Sequence, residues 1–346
     1  MNKRLQQVKK YMEDNSLDSM VITDMKNMRY LTSYTGEGYL VLTKGTDYLV
    51  TDSRYTEQAK DQTENFEICD IAVFKPKDEF GGFENTGFEN ESISYQRYKA
   101  FKGVFKNLFP IDGILLDMRA VKDEEEIRKI SVAEKIGDMA FEHILPFLKP
   151  GVSERDIALE IEFFMRKNGA EALSFDTIVA TGVHGAMPHA EPDMRLISKG
   201  DFVTMDFGCV YEGYSSDMTR TVCVGKATGD MKKVYNTVLT AQISSLEMLK
   251  AGVKGSEVHN LAQRIIDKEY KGAFGHGLGH GVGLDIHENP RLSPKSKDVL
   301  RVNSAVTVEP GVYIPGFYGV RIEDLVIIKE ENVLNLTNSP KNLIEL

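Results

Sequence analysis

Two stretches of this chain repeat one pattern: VTMDFG at 203–208 and VTVEPG at 306–311, each a run rich in β-branched residues that delivers a carboxylate, Asp206 or Glu309, shortly before a glycine. Val and Thr favour strands. A second acid follows each, Asp217 in GYSSDMT and Glu323 in GVRIEDL, so each copy reads as an antiparallel hairpin carrying two acids. An ionised carboxylate taken out of water must be paired or bound to a metal, and two such hairpins point to one shared cation site.

The similarity extends upstream. LKPGVSERDIALEIEFFMRKNG, beginning at Leu148, is echoed by LKAGVKGSEVHNLAQRIIDKEYKG, beginning at Leu249; these starts lie 101 residues apart, and Asp206 and Glu309 lie 103 apart. Agreement in order, spacing and acid placement implies two structurally related halves, each with a helix after a Gly turn and then an acid-bearing hairpin. Such halves can face each other across a pseudo-twofold axis.

At 346 residues, 42% of them hydrophobic, the chain has enough material for about two domains and a sizeable core. Its 42 basic and 52 acidic residues leave a net charge of −10, with no Lys/Arg cluster long enough to track a phosphate backbone, which argues against nucleic acid as a partner. The N-terminal MNKRLQQVKKYMEDNSLD is amphipathic and charged, without the apolar core of a signal peptide, and no apolar run approaches membrane-spanning length. A cytoplasmic address and no membrane partner are therefore expected. Cys69, Cys209 and Cys223 are few, odd in number and not in a CxxC pattern, so they read as small buried hydrophobes rather than a disulfide framework or thiolate zinc site.

Residues 1–120 read as an α/β domain: a helix with Leu5, Val8 and Met12 on one face, a strand at 19–23, a hairpin over 38–52 turning at Lys44, Gly45 and Thr46, and a helix with Ser53 as N-cap. Segment 75–92, rich in Gly and acids, reads as a loop, and 117–145 as a long amphipathic helix in which Asp123–Glu126 favour the helix start. The domain boundary is placed near 120. Residues 121–346 then read as an α+β domain, with antiparallel strands and helices outside them.

GHGLGHGVGLDIHE, at 275–288, sets His276, His280 and His287 among glycines 277, 279, 281 and 283. Glycine allows close backbone approach and positive φ, which suits presentation of side chains from a tight chain path into a pocket. Three of the seven histidines in one short segment, beside two acid hairpins, argue for a functional site over three separate core histidines. Four carboxylates and one imidazole suit two divalent ions of the harder kind, Mn foremost, with Co, Fe or Zn as alternatives. Two such ions can activate a water and clamp the charge that develops during hydrolysis.

Taken together, MDFG(x4)GYSSDMTRT, HGLGHGVG, TVEPGVY and GVRIEDL resemble the "pita-bread" metallopeptidases, the family that includes methionine aminopeptidase, aminopeptidase P and prolidase. The stretch NMRYLTSYTGEGYLVLTKGTDYLVTDSRYTEQA looks like the smaller N-terminal domain of the prolidase and aminopeptidase P branch. The resemblance implies a C-terminal pita-bread catalytic domain over 121–346 and a creatinase/prolidase-like α/β domain over 1–120. It implies that Asp206 chelates one metal, that Asp217 and Glu323 bridge, and that His280 and Glu309 bind the other metal. Sequence alone leaves open which acid bridges. The resemblance also makes Glu309 the proton acceptor for the attacking water and puts His189, in GVHGAMPHAEP, and His287 against substrate, stabilising the tetrahedral intermediate or moving protons. His276 would lie beside the site or merely orient loop backbone. Asp324, adjacent to Glu323 in a strand, points away from the metals.

Arg291, in HENPRLS, is either an exposed loop residue or a partner for a substrate carboxylate, which a guanidinium binds bidentately. In the second case it favours a dipeptide. The branch resemblance implies short proline-containing peptides as substrates, cleaved before Pro, and a homodimer. Xaa-Pro dipeptidase (prolidase) is placed ahead of Xaa-Pro aminopeptidase (aminopeptidase P). Methionine aminopeptidase lacks this kind of N-terminal domain, and creatinase-like enzymes and noncatalytic pita-bread binding proteins lack the complete ligand set.

Overall fold

The structure is a computed structural model that describes residues 2–346. Contacts divide the chain into two compact units, Met1–Arg119 and Ala120–Leu346.

The first unit is one mixed sheet of six strands, β1 (Ser19–Ile22), β2 (Tyr39–Thr43), β3 (Asp47–Thr51), β4 (Phe66–Asp70), β5 (Asn85–Glu89) and β6 (Asn107–Ile111), in the order β4-β3-β2-β1-β5-β6. Helices α1 (Lys3–Asp14), α2 (Met25–Thr32), α3 (Thr56–Gln62), α4 (Pro76–Phe80), α5 (Tyr95–Lys102) and α6 (Ile114–Arg119) accompany it. Leu5, Val8 and Met12 are the buried face of α1. Three expectations change. The helix after the β2–β3 hairpin has Tyr55 rather than Ser53 at its N-cap, because residues 53–55 form a turn in which Asp52 accepts the Arg54 N–H. Segment 75–92 is not a loop: it contains α4 and the interior strand β5, which pairs in parallel with β1 and β6. A Cβ at Gly87 would lie 2.8 Å from Ile111 and 2.9 Å from Leu17, so tight packing selects the glycine that weakens this strand's sequence signal. The long helix is interrupted between α6 and α7 (Glu124–Ile144), since extended Asp123 caps α7 in a capping box with Glu126.

In the second unit, α7 is followed by α8 (Glu154–Lys167), β7 (Ala172–Leu173), β8 (Ile178–Thr181), β9 (Phe202–Phe207), β10 (Cys209–Tyr211), β11 (Tyr214–Ser215) and β12 (Met218–Cys223). Then come α9 (Gly229–Met248), α10 (Gly255–Asp267), β13 (Gly279–Gly281), β14 (Glu288–Leu292), β15 (Ala305–Val308), β16 (Gly311–Ile314), β17 (Tyr318–Arg321), β18 (Asp324–Ile328) and β19 (Val333–Asn335). Strand β9 pairs antiparallel with β8 and β12, and β15 likewise with β13 and β18. The short hairpin β10–β11 inside the first acid segment has its counterpart in β16–β17 inside the second. Each half buries its own core. Helices α7 and α8 pack residues such as Ile136, Phe141 and Ile161 with Val203, Met205 and Phe207, while α9 and α10 pack Val234, Val238, Val258 and Ile266 with Val306 and Val308. The repeat is thus a pair of helix-backed antiparallel sheets. No helix among the described residues is long and apolar enough to cross a membrane.

Candidate metal centre and active site

The acids stand where a strand ends or turns. Asp206 pairs in register with Ile178 of β8 and Thr219 of β12. Asp217 immediately precedes β12, Glu309 follows β15 with its N–H donating to the Leu278 carbonyl at 2.8 Å, and Glu323 donates its N–H to the Thr219 carbonyl at 3.1 Å. His280 sits on β13 where the pairing with β14 shifts register between His280 and Gly281, leaving Asn289 and Pro290 of β14 without partners in the ladder, an irregularity of the kind found next to sites. The flanking glycines do not use positive φ. Their role is close approach: a Cβ at Gly279 would lie 2.0 Å from the Thr307 carbonyl oxygen, and one at Gly281 2.2 Å from that of Asn289.

His280 Nδ1 faces the Gly281 carbonyl at 3.1 Å and donates to it, which turns Nε2 toward the acids, 3.4 Å from both Asp217 Oδ2 and Glu309 Oε1. Asp217, His280 and Glu323 offer ligand atoms within 4.8 Å of one another, and all three are buried. Asp206 Oδ2 pairs with Arg321 Nη2 at 2.7 Å, while its Oδ1 is buried with no hydrogen-bond partner. Burial, followed by the neighbouring charge of Asp206, pushes the Asp217 carboxyl well above its ordinary range. Glu323 is raised the same way by burial and then Asp217, and Glu309 is brought up to about 7 by burial, with His280 opposing and Asp217 adding to the rise. Arg321 brings one positive charge to four carboxylates. An orphaned buried oxygen beside three carboxyls raised by burial and by their acidic neighbours fits a cation site; these oxygen-rich donors suit hard divalent ions.

One cavity of about 510 Å³ is lined by all nine residues singled out in the sequence: His189, Asp206, Asp217, His276, His280, His287, Arg291, Glu309 and Glu323. The His287 ring meets His280 edge to face, with centroids 4.3 Å apart, and desolvation, then His280 and Arg291, holds its pKa down to about 4. His276 donates from Nδ1 to the Gly277 carbonyl at 2.8 Å and accepts at Nε2 from the Tyr313 hydroxyl at 2.9 Å. Burial and Arg321 keep it neutral, down to about 4. Asp324 points away, held by Arg220 at 2.8 Å and Lys341 at 2.8 Å.

Sequence reading missed three supporting groups. Arg321 also donates from Nη1 to Tyr313 at 2.8 Å and from Nε to Thr219 at 3.0 Å. Thr219 in turn donates to Glu323 at 2.7 Å. Lys122 pairs with Glu288, the neighbour of His287, at 2.7 Å with both side chains buried. For Arg321 a signal was present: GVRIEDL reads as a strand, in which residues two apart share a face, although the structure interrupts it at 322–323, between β17 and β18.

Residues 128–330 match metallopeptidase family M24, and residues 4–121 match the creatinase/prolidase N-terminal domain. The chain is 35% identical over 353 residues to a Xaa-Pro dipeptidase of Pyrococcus horikoshii, covering 99% of each protein. Among solved structures it resembles a Xaa-Pro dipeptidase from Bacillus anthracis, with a TM-score of 0.96 and 41% identity over 99% of both chains. It also resembles an X-Pro aminopeptidase from Thermotoga maritima, with a TM-score of 0.90 and 36% identity over 96% of this chain and 98% of the other. A family match across more than half of the sequence, together with end-to-end likeness to these relatives, establishes that the chain belongs to metallopeptidase family M24.

Proposed function

We propose that the chain is a Xaa-Pro dipeptidase. In this reading residues 121–346 carry the reaction, with two divalent ions, manganese foremost, held by Asp206, Asp217, His280, Glu309 and Glu323. The observation that carries the reading is the acid cluster around His280, with Nε2 3.4 Å from two carboxylates, in one cavity with Arg291. When bound, the ions would lower the pKa of a water and polarise the scissile carbonyl.

Glu309 takes the proton from the attacking water. The leaving nitrogen is that of proline, which carries no hydrogen in the peptide and needs one to depart; His189 and His287, both on the cavity wall, stabilise the developing oxyanion and relay that proton. Both ring nitrogens of His276 are engaged, so it acts by holding Tyr313 and, through it, Arg321. Arg291 lines the cavity with no ion pair among the described residues, and its guanidinium receives the substrate's C-terminal carboxylate bidentately. A dipeptide places that carboxylate one residue past the cut. Likeness to the P. horikoshii and B. anthracis dipeptidases supports this choice, and likeness to the T. maritima aminopeptidase keeps the longer-peptide reading second.

The test is hydrolysis of Gly-Pro, Gly-Pro-Ala, Arg-Pro-Pro and Met-Gly-Met with added Mn, Co or Zn. Gly-Pro is expected to be the best substrate, with Mn the best metal, and Met-Gly-Met is expected to be inert. Turnover of the tripeptides without Gly-Pro would replace the dipeptidase reading by the aminopeptidase one; metal-free protein without turnover in any arm would overturn both.

A further inference from the structure

Outside the cavity, the first half of the Ala120–Leu346 unit holds another group of ionisable side chains, Glu154, His184 and Asp193. Its geometry is that of a clamp. The Glu154 carboxylate accepts from the Thr181 N–H at 2.7 Å, from His184 Nδ1 at 2.9 and 2.8 Å, and from the Asp193 N–H at 3.3 Å, which occupies its lone pairs without a cation. The Glu154 side chain is fully buried and that of His184 is 6% exposed. A carboxylate only accepts, so Nδ1 of His184 carries the proton.

The three donors bracket one loop, with Thr181 at its start and Asp193 at its end. The same carboxylate therefore closes both ends and, through His184, holds the interior. Arg321 fixes the far side by donating to the Pro188 carbonyl at 3.2 Å. The next residue, His189, lines the cavity. The fold repeat itself does not require this acid: in the other half Gly255 stands where Glu154 stands, its N–H donating to the Asp298 carbonyl at 3.0 Å as that of Glu154 donates to the Arg195 carbonyl at 3.0 Å.

We infer that Glu154, acting through His184 and the two loop amides, is a positioning residue for His189. The inference rests on the reading of His189 as a substrate-facing group. An imidazole displaced by an ångström loses much of its effect on a transition state while the rest of the binding site stays intact, so the effect falls on kcat more than on KM.

The experiment uses the metal-loaded full chain on Gly-Pro, or on Gly-Pro-Ala if that proves to be the substrate. It compares Glu154→Gln, His184→Ala, His184→Asn, His189→Ala and the Glu154→Gln/His189→Ala double variant, with metal content and melting temperature read alongside. Glu154→Gln and His184→Ala are expected to lower kcat about 10- to 100-fold with metal content unchanged. His184→Asn, which keeps an N–H at the Nδ1 position, should recover most of the rate that His184→Ala loses. In the His189→Ala background Glu154→Gln should cost nothing further. Equal losses from Glu154→Gln in both backgrounds would overturn the inference, as would a His184→Asn variant as slow as His184→Ala. A wild-type-like His189→Ala would remove the His189 reading and the inference with it, a result distinct from additive losses. If Glu154→Gln does not fold, the two His184 variants and their combinations with His189→Ala decide the matter alone.

Discussion

The two halves of the Ala120–Leu346 unit share a backbone and differ in chemistry. Gly151 and Gly252 open the turns before α8 and α10 with φ of 90° and 86°. The Gly151 N–H donates to the Ile197 carbonyl at 2.9 Å and that of Gly252 to the Leu300 carbonyl at 2.9 Å; the return bonds, Ile197 to Val152 and Leu300 to Val253, are also 2.9 Å. Side chains do not follow this symmetry. β13 carries His280, whereas β8 reads Ile-Val-Ala-Thr. Asp206 is paired with Arg321 from the other half, while Glu309 faces His280. A repeat kept by turns and strand pairing needs few specific residues, which leaves its carboxylates free to take different tasks.

The sharpest way to break that comparison is to neutralise the corresponding acids. Glu309→Gln is expected to cost about 10²- to 10⁴-fold in kcat with the fold retained, as read by steady-state kinetics and circular dichroism. Asp206→Asn should differ in kind: it leaves the buried Arg321 guanidinium, 4% exposed, without its counter-charge and destabilises the metal-free protein by about 3 kcal/mol. Equal stability losses for the two variants would contradict the division of labour.

Metal removal sharpens the same contrast. In the metal-free protein the folded-state pKa of Glu309 is about 7 against an ordinary 4.5, and Asp217 and Glu323 are raised as well. A carboxyl raised by folding holds a proton that the unfolded chain has already released, so its contribution is fully present below pH ~4.5 and is lost as pH rises toward 7. Chelator-treated protein is therefore expected to lose on the order of 3 kcal/mol from Glu309 alone between pH 4.5 and 7, measured by urea unfolding. Saturating Mn should abolish the trend, and Glu309→Gln should flatten it.

Much of this site was legible because the residues proposed to hold the metals bring their own signals: acids at strand ends, a histidine between glycines, and two copies at a fixed spacing. Its supports were not. Glu154 looks like an ordinary first-turn acid of α8 until folding sets Thr181, His184 and Asp193 around it, and Lys122 finds Glu288 across 166 residues of chain. Strand β5 was hidden for the same reason, since Asn-Thr-Gly-Phe-Glu has little strand preference and is fixed by its parallel neighbours. Local pattern identifies groups that must meet a cation, while long-range packing decides what holds them still.

Replacing the glycine where the halves differ should have a smaller effect. A Cβ at Gly255 would lie 2.1 Å from the Arg291 carbonyl oxygen, so Gly255→Ala must push against β14. The expected cost is about 2 kcal/mol, with a higher KM for Gly-Pro because Arg291 moves. An unchanged KM would separate this packing contact from substrate binding.

The smallest effect tests where the halves agree. Gly151 and Gly252 are both exposed, both have positive φ, and a Cβ at either would meet nothing within 4 Å. Alanine at either site therefore pays only the strain of holding a residue with a Cβ at positive φ, about 1 kcal/mol. If the turns are equivalent, the two losses agree to within about 0.5 kcal/mol, and the double variant shows their sum, because the sites share no partner. A larger loss at Gly151 in the metal-free protein would show that the turn beside Glu154 carries tension that its counterpart beside Gly255 does not. The comparison would then reach into the backbone that otherwise looks the same.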